Sequence, residues 1–163
     1  MTDLSPLLPA ARAVIESCTS NGLRVATAES CTGGLVAGVL TEIPGSSAVV
    51  DRGFVTYSND AKIDMLGVPK QLIERFGAVS RETALAMVTG ALAKSQADIA
   101  VSITGVAGPT GGTPEKPVGL VHFACMRRGQ PALHMMHTFP NNGRAGIRLA
   151  SVAEALRLIQ SFV

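Results

Sequence analysis

The chain has 163 residues, of which 47% are hydrophobic and 16% charged, with a formal net charge of +2. So small a charge, with no Lys/Arg run and no aromatic-rich strand to stack bases, excludes a nucleic-acid surface. No stretch reaches the ~18 consecutive apolar residues of a membrane span, and the N-terminus lacks the charged lead and apolar block of a signal peptide.

Ser5 and Pro6 predict a helix N-cap and first helical residue. Leu4, Leu7, Leu8, Ala11, Val14 and Ile15 recur at helical spacing up to the stop at Asn21-Gly22. Leu23 to Ala28 reads as a short strand, and a helix is expected from Gly33 to about Thr41. Pro44 to Ser47 is a turn. A strand over 48–57 is followed by short helices over 59–66 and 69–76. Ser80 caps a longer helix reaching Lys94, with Ala84, Leu85, Val88, Ala91 and Leu92 on one face. Asp98 to Thr104 is a buried-type strand, and 105–117 is a loop rich in Gly and Pro. Residues 118–126 and 132–139 form a hairpin turning at Arg128-Gly129-Gln130. The last helix runs from about Arg144 to Phe162, with Leu149, Val152, Leu156, Ile159 and Val163 facing inward. Helices alternating with strands, then a late hairpin, predict an α/β sandwich around a mixed sheet.

A chain of this length forms one domain, expected over 1–163, that buries ~70% of its unfolded surface. With 4% aromatics and no Trp, its core must be built from Ala, Val, Ile and Leu. Low charge and aliphatic character favour an assembly that hides surface, so a homo-oligomer is expected. Cys18, Cys31 and Cys125 form no CxxC and cannot all pair; reduced thiols in a cytoplasmic protein are the simplest reading.

The chemistry concentrates at Glu29-Ser30-Cys31-Thr32-Gly33-Gly34. A hydroxyl at a strand end, before two glycines that open a helix, lies where backbone N–H groups can hold an anion or a developing oxyanion. Serine is a weak nucleophile until a base takes its proton. His122, His134 and His137 occupy ordinary strand positions, which leaves Lys62 as the base candidate. At a reference pKa of ~10.4, roughly 1 lysine in 2,500 is neutral at pH 7, so burial or a neighbouring cation must lower it. Tyr57, five residues from Lys62 across a strand end and a helix start, can relay the proton. Cys31 competes with Ser30 as nucleophile, its thiol lying beside a helix N-terminus; the alternative is a small buried filler. Glu29 accepts bonds from nearby backbone, positions Lys62, or is a surface carboxylate.

Two further elements point to an anionic ligand. Thr104 to Thr113 follows a buried strand, where ligand loops of α/β folds sit. It is neither GxGxxG nor GxxxxGK[ST], so no dinucleotide fold or P-loop is licensed. Its small residues can still form an N–H concavity. Arg144 and Arg148 lie one turn apart at the start of the last helix, the unfavourable end of its dipole for a cation. A phosphate, or a carboxylate such as Glu154, would compensate.

Thr27-Ala28-Glu29-Ser30-Cys31-Thr32-Gly33-Gly34, Pro44-Gly45-Ser46-Ser47, Gly53 to Tyr57 with Asn59 and Lys62, Gly77-Ala78-Val79-Ser80, and Thr104 through Gly119 together resemble the C-terminal domain of the competence-damage-inducible CinA family. Stand-alone members of that family deamidate nicotinamide mononucleotide. The resemblance implies a three-layer α/β/α sandwich with a mixed sheet. It implies hydrolysis of the carboxamide to nicotinate mononucleotide and ammonia, with no cofactor and no metal. It makes Ser30 the nucleophile, Lys62 its base and Tyr57 the relay. Arg144 would hold the phosphate, and Glu29, Thr32, Gly33, Gly34, Thr104, Gly105, Ala107 and Gly108 would surround the substrate. Where family members carry Gly-Asp-Arg or Gly-Asn-Arg, this chain reads Asn142-Gly143-Arg144. The larger family proteins add an N-terminal nucleotide-processing domain, and none is expected here. A small-molecule nucleotide is thus the expected partner, acted on by an amidohydrolase. The competing readings are a nucleotide-binding module without hydrolysis and a thiol enzyme using Cys31.

Overall fold

The computed structural model describes residues 2–163. In chain order the elements are α1 (Leu8–Asn21), β1 (Val25–Glu29), α2 (Leu35–Thr41), β2 (Val50–Val55), α3 (Asn59–Leu66), α4 (Lys70–Phe76), α5 (Arg81–Ala93), β3 (Ile99–Gly105), β4 (Leu120–Arg127), β5 (Leu133–Thr138) and α6 (Gly143–Gln160). The five strands form one sheet in the order β2-β1-β3-β4-β5. Strand β1 runs parallel to β2 and β3, and β3-β4-β5 are antiparallel, so the sheet is mixed as expected.

Strand alternation sorts the side chains into two cores. Val25, Ile99, Val101, Ile103, Val121 and Phe123 face a layer built from α1, α2 and α6. Ala26, Ala28, Ala100 and Ala124 face α5, with α3 and α4 beside it. The second face is lined by alanine, and Ala84, Met87, Val88 and Ala91 of α5 pack down onto it. This is the three-layer sandwich, with a largely aliphatic core to which Phe123 and Phe54 add the aromatic side chains.

Two boundaries differ from the sequence pattern for local reasons. Strand β1 starts after Leu23, because Gly22 adopts φ 64° at the end of α1 and the Leu23 N–H bonds Cys18 O. That bond closes a Schellman motif, so Leu23 belongs to the helix stop. Helix α2 starts at Leu35 rather than Gly33, because Gly33 and Gly34 have φ 58° and 94°, which a right-handed helix excludes.

The β1–β3 pair ends in the residues that matter most. The Ser30 N–H still bonds Ile103 O at 2.9 Å, so the strand's last ladder bond fixes residue 30 beside the end of β3. Gly105 ends β3 where a Cβ would come within 2.7 Å of Val121 Cγ2, so only glycine allows β4 to approach this closely.

Candidate active site

A cavity of about 290 Å³ opens at the ends of β1 and β3. Ser30, Lys62, Thr104, Gly105, Ala107, Gly108, Arg144 and Tyr57 all line it. At its base Lys62 Nζ lies 3.0 Å from Ser30 Oγ and donates to Thr56 O at 2.8 Å. Lys62 reaches this point because Ser58 Oγ accepts the Ala61 N–H and starts α3 just after β2, turning the lysine inward. The lysine is 1% exposed, and among the described residues no carboxylate pairs with it. Burial alone drives its pKa down to about 8. A buried amine without a counter-ion is poised to be neutral, which a base for serine requires. Thr56 O accepts one of its N–H bonds and so holds the amine beside Ser30.

Tyr57 does not stand between the two. Its hydroxyl accepts from Arg144 Nη2 at 2.7 Å, and the ring is largely exposed at the cavity rim. The relay expected of Tyr57 is therefore corrected: Ser30 and Lys62 meet directly, and the phenol braces the arginine. Arg144 also donates to Gly108 O at 2.9 Å, tying the glycine loop to α6. Neither Arg144 nor Arg148 pairs with a carboxylate among the described residues; Glu154, the compensating group weighed above, bonds Arg157 instead. Arg144 thus presents an uncompensated guanidinium, with donors to spare, at the mouth of the cavity.

Four expected substrate contacts lie elsewhere. Glu29 is fully buried, and its carboxylate accepts the N–H groups of Gly34 and Val36 at 3.1 Å and of Ala37 at 2.9 Å. The start of α2 is therefore capped by the protein's own carboxylate and does not receive an external anion. Thr32, Gly33 and Gly34 sit in the turn behind Ser30 and do not line the cavity. Glu29→Gln swaps one acceptor oxygen for an amide that faces N–H donors. We expect it to lower stability by about 1–3 kcal/mol, read as a lower urea midpoint at unchanged slope.

The cavity also uses residues to which sequence reasoning gave no role. Ala78 and Val79 line it, and Thr104 Oγ1 donates to Ala78 O at 2.7 Å. That contribution is main-chain, so no side-chain pattern reveals it. Asn59 lines the cavity too, and its i,i+3 spacing from Lys62 on one helix face was a usable signal. Cys31 lines it as well, but burial pushes its thiol up to about 11, which keeps it protonated at neutral pH. The thiol alternative therefore loses its thiolate. His122 Nδ1 lies 3.0 Å from His134 Nε2, the two rings stack with centroids 5.3 Å apart, and burial holds both below the ordinary imidazole range.

The sequence pattern of the CinA C-terminal domain matches residues 8–163. The chain belongs to the CinA C-terminal domain family. A crystal structure of the competence/damage inducible protein CihA from Agrobacterium tumefaciens has a TM-score of 0.94 and 57% identity, covering 95% of this chain and 94% of that one. Among curated CinA relatives, a CinA-like protein of Akkermansia muciniphila is 49% identical over 131 residues, 80% of this chain and 32% of that protein. The chain spans about a third of the length of such larger relatives. The nicotinamide-nucleotide amidohydrolase PncC of Escherichia coli (strain K12) is 45% identical over 159 residues, 98% of this chain and 95% of that protein. No described helix of this family member is long and apolar enough to cross a membrane.

Proposed function

We propose that the chain is an amidohydrolase that converts nicotinamide mononucleotide to nicotinate mononucleotide and ammonia. The observation that carries this reading is the 3.0 Å contact between Lys62 Nζ and Ser30 Oγ at the base of an open cavity. In the proposed reaction neutral Lys62 takes the Ser30 proton as Oγ attacks the carboxamide carbon. The carbonyl oxygen becomes an oxyanion. Collapse of the tetrahedral intermediate breaks the C–N bond, and the Lys62 ammonium returns its proton to the leaving nitrogen, giving ammonia and an acyl ester on Ser30. Water, deprotonated by the same amine, then attacks the ester, releasing carboxylate and restoring the serine.

Arg144 is the proposed phosphate partner, since a guanidinium without a carboxylate suits a phosphate held in two bonds. A cavity of about 290 Å³ lies at the small end of the ~300–1,000 Å³ range for small-molecule sites. It suits a mononucleotide better than a dinucleotide. In this reading the enzyme recycles pyridine nucleotides in the cytoplasm, where Cys18, Cys31 and Cys125 stay reduced and buried. The exposed apolar side chains of Val55, Met65 and Met136 support a homo-oligomer.

Product analysis tests the proposal: ammonia and the nucleotide acid are expected from nicotinamide mononucleotide, and little from free nicotinamide or the dinucleotide. Binding of the mononucleotide without product, by calorimetry, would return the chain to a non-catalytic nucleotide-binding module. Arg144→Ala should raise KM about 10–100-fold with kcat within a few-fold, the loss of a charge-assisted contact used equally before and during reaction.

A further inference from the structure

Attack by Ser30 leaves a negative oxygen on the substrate, and the start of α2 has nothing to give it. The Gly33 N–H goes to Ser30 O and the Leu35 N–H to Thr32 O, while Glu29 takes those of Gly34, Val36 and Ala37. The neighbouring strand β3 does offer a donor. Successive N–H groups along a strand face opposite edges. The Val106 N–H bonds Leu120 O of β4 at 2.9 Å. Gly105 stands one residue earlier, so its N–H faces β1.

The β1–β3 ladder stops just short of that group. Its register runs from Val25 opposite Ile99 to Glu29 opposite Ile103, and its last rung is the Ser30 N–H on Ile103 O at 2.9 Å. One more rung would take the Gly105 N–H to Ser30 O. That rung is not made, because Ser30 O turns back to accept the Gly33 N–H at 3.0 Å. The Gly105 N–H therefore has no acceptor among the described residues. It points, across a strand spacing of ~4.8 Å, at the chain that holds the nucleophile. Gly105 lines the cavity together with Ser30 and Lys62, so a group bound there meets hydroxyl, amine and N–H together. The strand end is held still around it. A Cβ on Gly105 would meet Val121 Cγ2 at 2.7 Å and Leu120 O at 2.8 Å, and Thr104 Oγ1 is tied to Ala78 O.

We propose that the Gly105 N–H is an oxyanion donor of this site: it receives the carbonyl oxygen of the substrate as Ser30 Oγ attacks the carbon. This rests on the Ser30 reading above. The test therefore uses a readout that does not depend on the nicotinamide substrate. A fluorophosphonate probe is attacked by Ser30 Oγ; the O–P bond forms, the P–F bond breaks, fluoride leaves and Lys62 takes the proton. The phosphoryl oxygen occupies the oxyanion position. Glycolic acid in place of Gly105, introduced into the full chain by an acylated suppressor tRNA, exchanges the N–H for an ester oxygen and alters no side chain. The control is the hydroxy-acid analogue of valine at Val101, whose N–H faces the same edge four residues earlier, away from the nucleophile. Labelling is followed by intact mass, alongside thermal melting and steady-state turnover of nicotinamide mononucleotide.

The ester at 105 should label roughly 10²–10³-fold more slowly, the cost of deleting one oxyanion donor. Its kcat should fall by the same factor with KM about unchanged, whereas the ester at 101 should lower the melting temperature and leave the labelling rate near wild type. A folded ester at 105 that labels at the wild-type rate, or one that loses only KM, overturns the proposal. Should that variant not fold, amide-proton NMR of the wild type decides. Isotope labels on the threonine carbonyl and the glycine nitrogen single out Thr104-Gly105 among four Thr-Gly pairs. On phosphonylation the Gly105 proton should move downfield and that of Gly90, in α5, should not; an unmoved Gly105 proton is equally fatal. Wild-type protein that labels at Ser30 but does not turn over the nucleotide sinks the amide reading alone; wild-type protein that does not label at Ser30 overturns the role of Gly105.

Discussion

Ser30→Ala should abolish ammonia release from nicotinamide mononucleotide. A nucleophile and base acting as one unit cost ~10⁴–10⁶-fold in kcat when either is removed, and removing both costs little more. Ser30→Ala, Lys62→Met and the double variant are therefore expected to share one residual rate, measured by coupled ammonia assay under single-turnover conditions. The fold should survive Ser30→Ala, because the Ser30 N–H bond to Ile103 O belongs to the main chain and remains. Calorimetry should still detect the nucleotide, since Arg144 is untouched. A folded Ser30→Ala protein with near-normal turnover would remove serine catalysis from this site.

The second large effect comes from Lys62 and has two readouts. With its pKa lowered by burial to about 8, the neutral amine is about a tenth of the population at pH 7, against roughly 1 in 2,500 for an ordinary lysine. The rate should thus rise about tenfold per pH unit below 8 and level off above it, so long as acylation limits turnover. A profile flat from pH 6 to 9 would show that Lys62 is not the base. The same shift is a stability statement. Between about pH 8 and 10.5 the unfolded lysine binds a proton that the folded one does not, so stability from this group rises with pH across that window. Below about 8 the folded chain carries the full cost of a buried ammonium. Lys62→Met, which keeps the apolar stem and drops the charge, should therefore be more stable than wild type at pH 7. Its advantage should fade as the pH approaches 10.5, as measured by urea unfolding at each pH. Catalysis and stability would then oppose each other at one residue, as active sites commonly require.

Several parts of the site were legible from the sequence because the chemistry is local. Ser30 before Gly33 and Gly34, and Lys62 at the start of a helix with Tyr57 before it, are neighbours along the chain on each side of the contact. The Gly/Pro loop after β3 announces itself by composition, and its residues Thr104, Gly105, Ala107 and Gly108 do line the cavity. Of the readings weighed for Glu29, acceptance of nearby backbone N–H groups holds, five to eight residues on, whereas the substrate contact that the resemblance implied does not. Tyr57 was misassigned because its partner, Arg144, lies 87 residues away. The Ala78 carbonyl was invisible because a main-chain acceptor leaves no side-chain signature.

The sequence alone determined the aliphatic periodicities, the turn and cap residues, and hence a mixed sheet between helical layers. These follow from bond geometry and from which side chains leave water, and both are properties of short windows of chain. Only the tertiary structure decided which polar groups meet. Parallel pairing of β1 with β2 and β3 brings residue 30 up against residues 56 and 62, and α6 returns from the far end of the chain to set one arginine at the cavity mouth and another against the carbonyls of Cys31 and Thr32. Such meetings depend on the path of the whole chain, and so does the loss of water that lowers the pKa of Lys62.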